Sequence, residues 1–111
     1  MDERLPAHLE VAAIRRLAEG CGGFATVLAK GERDAGTIVI VVIGSGKPAT
    51  LFERMPQLDG TRAFVATKAE EAEKQREFSE YITRRSSRDP DLWIIEADVA
   101  DRDEFMKSLP Q

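Results

Sequence analysis

The sequence predicts an α+β fold: a single domain over residues 1–111, in which a mixed, mostly antiparallel five-stranded sheet packs with two or three helices. Residues 37–43 are seven consecutive β-branched side chains between two glycines. Such a run is too stiff for a helix and too short to span a membrane. Shorter alternating segments surround this run, whereas segments near both ends have helical apolar spacing. The predicted element order is therefore α-β-β-β-β-α-β-α.

The first helix is predicted to start at Pro6, because the fixed φ of proline suits the first helical position. Apolar residues spaced by about four then form one stripe along this helix. The stripe contains Leu9, Ala13, Ile14, Leu17 and Cys21. Glycines at positions 20, 22 and 23 are predicted to end the helix.

Four strands are predicted to follow as an antiparallel meander, at residues 24–30, 37–43, 49–55 and 62–67. Polar turns that contain glycine or proline separate them. In the third strand, Glu53 and Arg54 are expected on opposite faces of the sheet, since successive side chains of a strand alternate.

The last third of the chain is predicted to hold a helix at residues 76–87, a strand at 92–99 and a short final helix. Residues 69–75 are either a loop or the start of that first helix. Asp101 and Glu104 have the spacing of a capping box at the start of the final helix. The crossover helix allows the fifth strand to lie parallel to a neighbour. We expect all helices on one face of the sheet.

Several segments carry a family resemblance: residues 29–37 (AKGERDAGT), 53–60 (ERMPQLDG), 78–81 (FSEY) and 89–96 (DPDLWIIE). Together they resemble a family of small uncharacterised bacterial proteins, domain of unknown function 1491. The resemblance extends from about Leu5 to Phe105, and the chain length also matches. It implies a stand-alone bacterial domain and brings no activity, since the family has none assigned.

Composition and charge exclude several classes of protein. An apolar fraction of 42% and a charged fraction of 32% are typical of soluble globular proteins. The net charge of −4 argues against nucleic-acid binding, which needs a basic surface. Neither a membrane-spanning run nor a signal peptide is found, so no membrane partner is expected. The single cysteine fits a reducing compartment, and we expect a cytoplasmic location.

The motifs that could carry catalysis are incomplete. Residues 45–47 (SGK) follow a strand as in a phosphate-binding loop, but Val41 replaces the required glycine and Pro48 the required Ser or Thr. Cys21 has no base to form its thiolate, because His8 lies three to four turns away on another side of the helix. One histidine and one cysteine cannot build a zinc site. No catalytic residue, metal or cofactor is therefore predicted.

Two further sets of side chains are assigned structural roles. Five carboxylates near the C-terminus could ligate magnesium or calcium: Glu96, Asp98, Asp101, Asp103 and Glu104. Helix capping and the helix dipole explain the last three better, and exposure at a strand end explains Glu96 and Asp98. Trp93, Tyr81 and Phe78 could stack a flat ligand, but residues at such positions are more often part of the core.

The predicted ligand-binding residues are basic. Arg84 and Arg85 lie at the end of the second helix, and Lys30 and Arg54 lie at or near hairpin ends. Guanidinium groups bind phosphates and carboxylates through two parallel hydrogen bonds, so their convergence would form an anion site. The alternative is that the helix arginines complement the helix dipole and that Arg54 pairs with a neighbouring carboxylate.

Two hypotheses about function follow. The first, which we favour, is a non-catalytic binding or protein-interaction module that pairs with a second copy, as a homodimer, or with another protein. The all-apolar central strand motivates it. The second is a small enzyme or sensor of an anionic phosphate or carboxylate metabolite. In it, Arg54, Arg84 and Arg85 hold the anion around one pocket, and Glu53 or Asp59 acts as acid or base.

Overall fold

The computed structural model describes residues 5–110, so residues 1–4 and 111 of the predicted domain lie outside the described part. Its eight elements occur in the predicted order and confirm the predicted fold class. They are α1 (Ala7–Gly20), β1 (Phe24–Ala29), β2 (Ile38–Ile43), β3 (Thr50–Pro56), β4 (Arg62–Ala69), α2 (Gln75–Arg88), β5 (Trp93–Asp98) and α3 (Arg102–Ser108).

The five strands form one mixed sheet in the order β1-β5-β2-β3-β4. Strand β5 is antiparallel to β1 and parallel to β2, as the crossover through α2 allows. Strands β2, β3 and β4 form an antiparallel meander. The prediction that β1 also belongs to this meander is wrong, because β5 lies between β1 and β2.

The connection between β1 and β2 explains this difference, because it is a docked loop rather than a hairpin turn. The Glu32 amide donates to the Asp91 carbonyl at 3.0 Å, and the Trp93 indole N–H donates to the Glu32 carbonyl at 2.7 Å. A Cβ at Gly31 or Gly36 would lie 2.2 or 2.4 Å from the Asp91 oxygen. These two glycines therefore let the loop lie against the start of β5.

Helices cover both faces of the sheet, so the prediction of helices on one face is wrong. Side chains of α1 and α3, such as Ile14 and Phe105, pack with Ile40 and Ile95 on one face. On the other face, Phe78 of α2 packs in a separate cluster. That cluster also contains Val39, Val41, Leu51, Leu92 and Ile94. The central strands β2 and β5 are apolar on both faces, and such strands need cover on both sides.

The buried stripe of α1 differs from the predicted one. The residues that face the core are Ala7, Glu10, Val11, Ile14 and Ala18. Leu9, assigned to the stripe from its spacing, is 46% exposed. The predicted stripe and the observed stripe both have helical periodicity, so periodicity alone does not distinguish them. The small side chains of Ala7 and Ala18 allow close approach to the sheet, and the pairing of Glu10 with an arginine of β3 makes its burial tolerable.

Candidate functional site

A groove runs between α2 and the part of the sheet that α2 does not cover. Its floor consists of apolar side chains from β1, β5 and β2, namely Leu28, Ile94, Val41 and Ile43. Its volume is about 450 Å³, within the usual range for pockets that hold a ligand. The groove is therefore the principal candidate site in the described part of the chain.

The α2 wall of the groove is uncharged and combines the apolar side chains of Phe78 and Ile82 with a row of hydroxyl groups. Ser79, Thr83, Ser86 and Ser87 all line it, and their spacing of four, three and one residues places them along one side of a helix. The Thr83 hydroxyl donates to the Ser79 carbonyl at 3.0 Å. This row of hydroxyl groups is not among the binding residues that the sequence predicts.

Two carboxylates add negative charge to the groove, from Glu70 and Glu96. Glu96 is half-buried on β5, in register with Thr26 on β1 and Val41 on β2. Within residues 5–110 its side chain makes neither an ion pair nor a hydrogen bond. Among the described residues that line the groove, none is lysine, arginine or histidine. The sequence analysis treated Glu96 as a solvent-exposed residue at the end of a strand.

Large apolar side chains remain exposed beside the groove. Leu28 is 48% exposed and Phe24 is 58% exposed. Ala25 and Val27 pack toward α1, so alternation along β1 places Phe24 on the α2 side. The register of β1 shifts between Val27 and Ala29, and Leu28, within this irregularity, lines the groove itself. This half of the sheet face therefore combines exposed apolar groups with an apolar groove.

Arg54 and Glu53, adjacent on β3, point to opposite faces of the sheet, as predicted. Arg54 forms an ion pair with the buried Glu10 of α1. Its guanidinium also donates to the Pro110 carbonyl at 3.4 Å and lies 4.6 Å from the centroid of the Phe64 ring. Arg54 therefore joins β3 to α1 on the face that carries α1 and α3.

On the α2 face, Arg85 of α2 pairs with Glu53 of β3, just as Arg54 pairs with Glu10 on the opposite face. Its Nη2 donates to Glu53 Oε1 at 2.8 Å, its Nη1 donates to the Tyr81 hydroxyl at 3.2 Å, and Thr67 also donates to Glu53. The hydrogen bond from Arg85, supported by that from Thr67, lowers the pKa of Glu53 despite its partial burial. The same hydrogen bond to Glu53 raises the pKa of Arg85. The pair fastens α2 to β3.

The four predicted anion ligands do not surround one pocket. Arg54 and Arg85 lie on opposite faces, each with a carboxylate of the chain itself. Lys30 is exposed just after β1, and Arg84 is exposed in a shallow depression on α2 that Glu80 also lines. Anion binding by Lys30 and Arg84 stays a prediction, but the single pocket required by the second hypothesis is not formed.

The remaining candidates have structural roles. Asp59 accepts hydrogen bonds from the Thr61 hydroxyl and amide, which lower its pKa and hold a turn. Trp93 and Phe78 are core residues, as predicted, but lie on opposite faces of the sheet. Burial raises the pKa of the Cys21 thiol, with carboxylates of the α3 region adding to the effect.

Within residues 5–110, no group of three or more His, Cys, Asp or Glu side chains is placed to hold a metal ion. No helix in that range is long and apolar enough to cross a membrane.

The fold and the groove define a small α+β protein with one face of its sheet only partly covered. The chain belongs to the DUF1491 family, described as proteins of unknown function, and the match spans residues 5–107. This result confirms the resemblance found in the sequence. A search of curated proteins finds no match.

Solved structures of similar proteins agree with the fold. A crystal structure of a DUF1491 family protein from Caulobacter crescentus is 30% identical, with a TM-score of 0.79, and the alignment covers 96% of this chain and 98% of that chain. A solution structure from A. tumefaciens is 26% identical, with a TM-score of 0.72 and 97% of each chain covered. An NMR structure of a C. crescentus family member is 32% identical, with a TM-score of 0.67 and coverages of 96% and 94%.

Proposed function

We propose that this protein is a non-catalytic protein-interaction module that binds its partner in the groove beside α2. The observation that carries this proposal is the exposure of Leu28 and Phe24 next to an apolar groove floor. An apolar groove with exposed large apolar side chains on the same sheet face is typical of interaction sites in soluble proteins. Covering the exposed half of these two side chains contributes about 1 kcal/mol each to binding.

The groove lining supports binding rather than chemistry. Its polar groups are the hydroxyls of α2 and the carboxylates of Glu70 and Glu96. The hydroxyl groups have no histidine or lysine beside them in the described lining, and such a base is what activates a serine nucleophile. Apolar floors with few polar groups are suited to the side chains of a partner.

The test is a selection for peptides that bind the groove. A display library of random peptides, about 16 residues long and thus able to form about four helical turns, is selected on the wild-type protein alone. Dissociation constants of the enriched peptides are then measured by fluorescence anisotropy. The matched control is Leu58→Glu, since Leu58 is fully exposed between β3 and β4.

The enriched peptides should bind wild type and Leu58→Glu equally well. Leu28→Glu should bind them about tenfold more weakly, because a charge then lies on the apolar floor. Binding that is the same for Leu28→Glu and wild type would overturn the proposal. Light scattering over a concentration series tests whether the protein binds a second copy of itself. A dimer that the substitution Leu28→Glu dissociates would support the proposal, with that second copy as the partner.

A further inference from the structure

We infer that the groove takes one amphipathic helix of a partner protein, with a lysine or arginine of that helix next to Glu96. This inference rests on the proposed function and specifies the partner. Three observations carry it: the width of the uncovered surface, its length, and the charge of its lining.

The width of the uncovered surface corresponds to one helix. On the α2 face, Phe78 packs over β2 and β3, and Arg85 binds Glu53 on β3, so α2 lies toward the β3 side of the sheet. Because Ile94 of β5 is buried in the same cluster as Phe78, the uncovered part is β1, the second half of β5 and the end of β2. Adjacent strands are about 4.8 Å apart, so this strip is about 10 Å wide, which is about the diameter of a helix. The opposite face already carries two described helices, α1 and α3.

The length of the strip sets the length of the bound helix. Strand β1, whose residues Phe24, Thr26 and Leu28 are exposed, contains 6 residues, which corresponds to about 20 Å. A helix of about 13 residues has that length. Its apolar stripe would lie on Leu28, Ile43 and Ile82, whereas its flank would meet the hydroxyl row of α2.

The charge of the lining selects a basic helix. Glu96 is half-buried on the floor of the strip and has no ion-pair partner within residues 5–110. Glu70 adds a second carboxylate at the end of the groove that Ala49 lines. The backbone amide of Glu70 donates a hydrogen bond to the Ala49 carbonyl at 2.8 Å. Covering Glu96 with an apolar surface alone would desolvate its charge without compensation. A cationic side chain in the partner removes that penalty and fixes its register.

The test uses the peptides from the selection above, with Glu96→Gln as the main variant. Glu80→Gln is the matched control, because Glu80 is exposed on α2 outside the groove. Peptides that depend on Leu28 should carry apolar residues at helical spacing and at least one Lys or Arg. Glu96→Gln should weaken their binding about tenfold, whereas Glu80→Gln should change it less than about twofold.

A charge exchange adds specificity to this test. Replacing the basic residue of the peptide by glutamate should abolish binding to wild type and restore it on Glu96→Lys. If Glu96→Lys does not fold, the weakening of wild-type binding between low and high salt replaces this step. NMR chemical shifts of the bound peptide should be helical.

The outcomes separate this inference from the proposed function. The inference would be overturned, and the proposed function left intact, by peptides that need Leu28 but do not match the predicted partner. Such peptides would carry no basic residue, bind Glu96→Gln as tightly as wild type, or bind in an extended form. A dimer dissociated by Leu28→Glu would overturn it in favour of a second copy. Failure to obtain any peptide that needs Leu28 would overturn both.

Discussion

Replacing Arg54 by methionine should destabilise the protein strongly, because it leaves Glu10 without the guanidinium that pairs with it. The side chains of Arg54 and Glu10 are only 12% and 9% exposed. Breaking such a buried pair from one side costs about 3–5 kcal/mol, since one charge stays buried without its partner. For a protein of this size, that loss lowers the melting temperature by roughly 10–20 °C.

Removing both charges should recover most of this loss. In Glu10→Leu/Arg54→Met no charge of this pair remains buried, and apolar replacements of buried pairs are often neutral. The pair formed by Arg85 and Glu53 is the comparison, because its side chains are 30% and 18% exposed. Arg85→Met should therefore cost less than Arg54→Met, about 1–2 kcal/mol.

The assay is urea unfolding followed by tryptophan fluorescence, since Trp93 is buried in the core. Four proteins form a double-mutant cycle: wild type, Glu10→Leu, Arg54→Met and the double variant. The reasoning is refuted if Arg54→Met costs less than about 1 kcal/mol, or if the double variant is no more stable than Arg54→Met alone.

Two further predictions concern pH and a loop contact. The hydrogen bond from Arg85 lowers the folded-state pKa of Glu53 below its usual value of 4.5, so its stabilisation is complete above that pH and is lost as the pH falls through the lower folded pKa. The difference in urea stability between wild type and Glu53→Gln should accordingly be largest near neutral pH and shrink in acid; a constant difference would contradict it. Gly36→Ala should cost at least about 2 kcal/mol, because the new methyl would lie 2.4 Å from the Asp91 carbonyl oxygen. Gly46→Ala, with open space but a φ of +68°, should cost about 1 kcal/mol from backbone strain alone, and thermal unfolding of both variants measures the contrast.

The candidate site was only partly predictable. Alternation along β3 correctly placed Glu53 and Arg54 on opposite faces, but it does not show that Arg85 pairs with Glu53 and so lies on the face away from Arg54. The groove itself depends on β1 lying beside β5, and no local pattern indicates that pairing. The available signals were the hydroxyl row of α2 and a carboxylate, Glu96, within the apolar segment of β5.

The kind and order of the elements were predictable from the amino-acid sequence. The β-branched run at 38–43 becomes β2, residues 76–87 fall within α2, and the Asp101 carboxylate accepts the Glu104 amide at 3.0 Å as the capping box predicts. These features depend on contacts between residues close in the chain, and their periodicity and capping are visible in the sequence.

Which strands are neighbours and which helix face is buried depend on contacts between residues far apart in the chain. The placement of β5 between β1 and β2 joins residues about 70 positions apart, such as Thr26 and Glu96. It depends on the docked loop and on the glycines that allow its approach to Asp91. The burial of Glu10 in place of Leu9 likewise depends on Arg54 lying opposite it. Such pairings minimise the free energy of the whole chain, so residues near one another in the sequence do not reveal them.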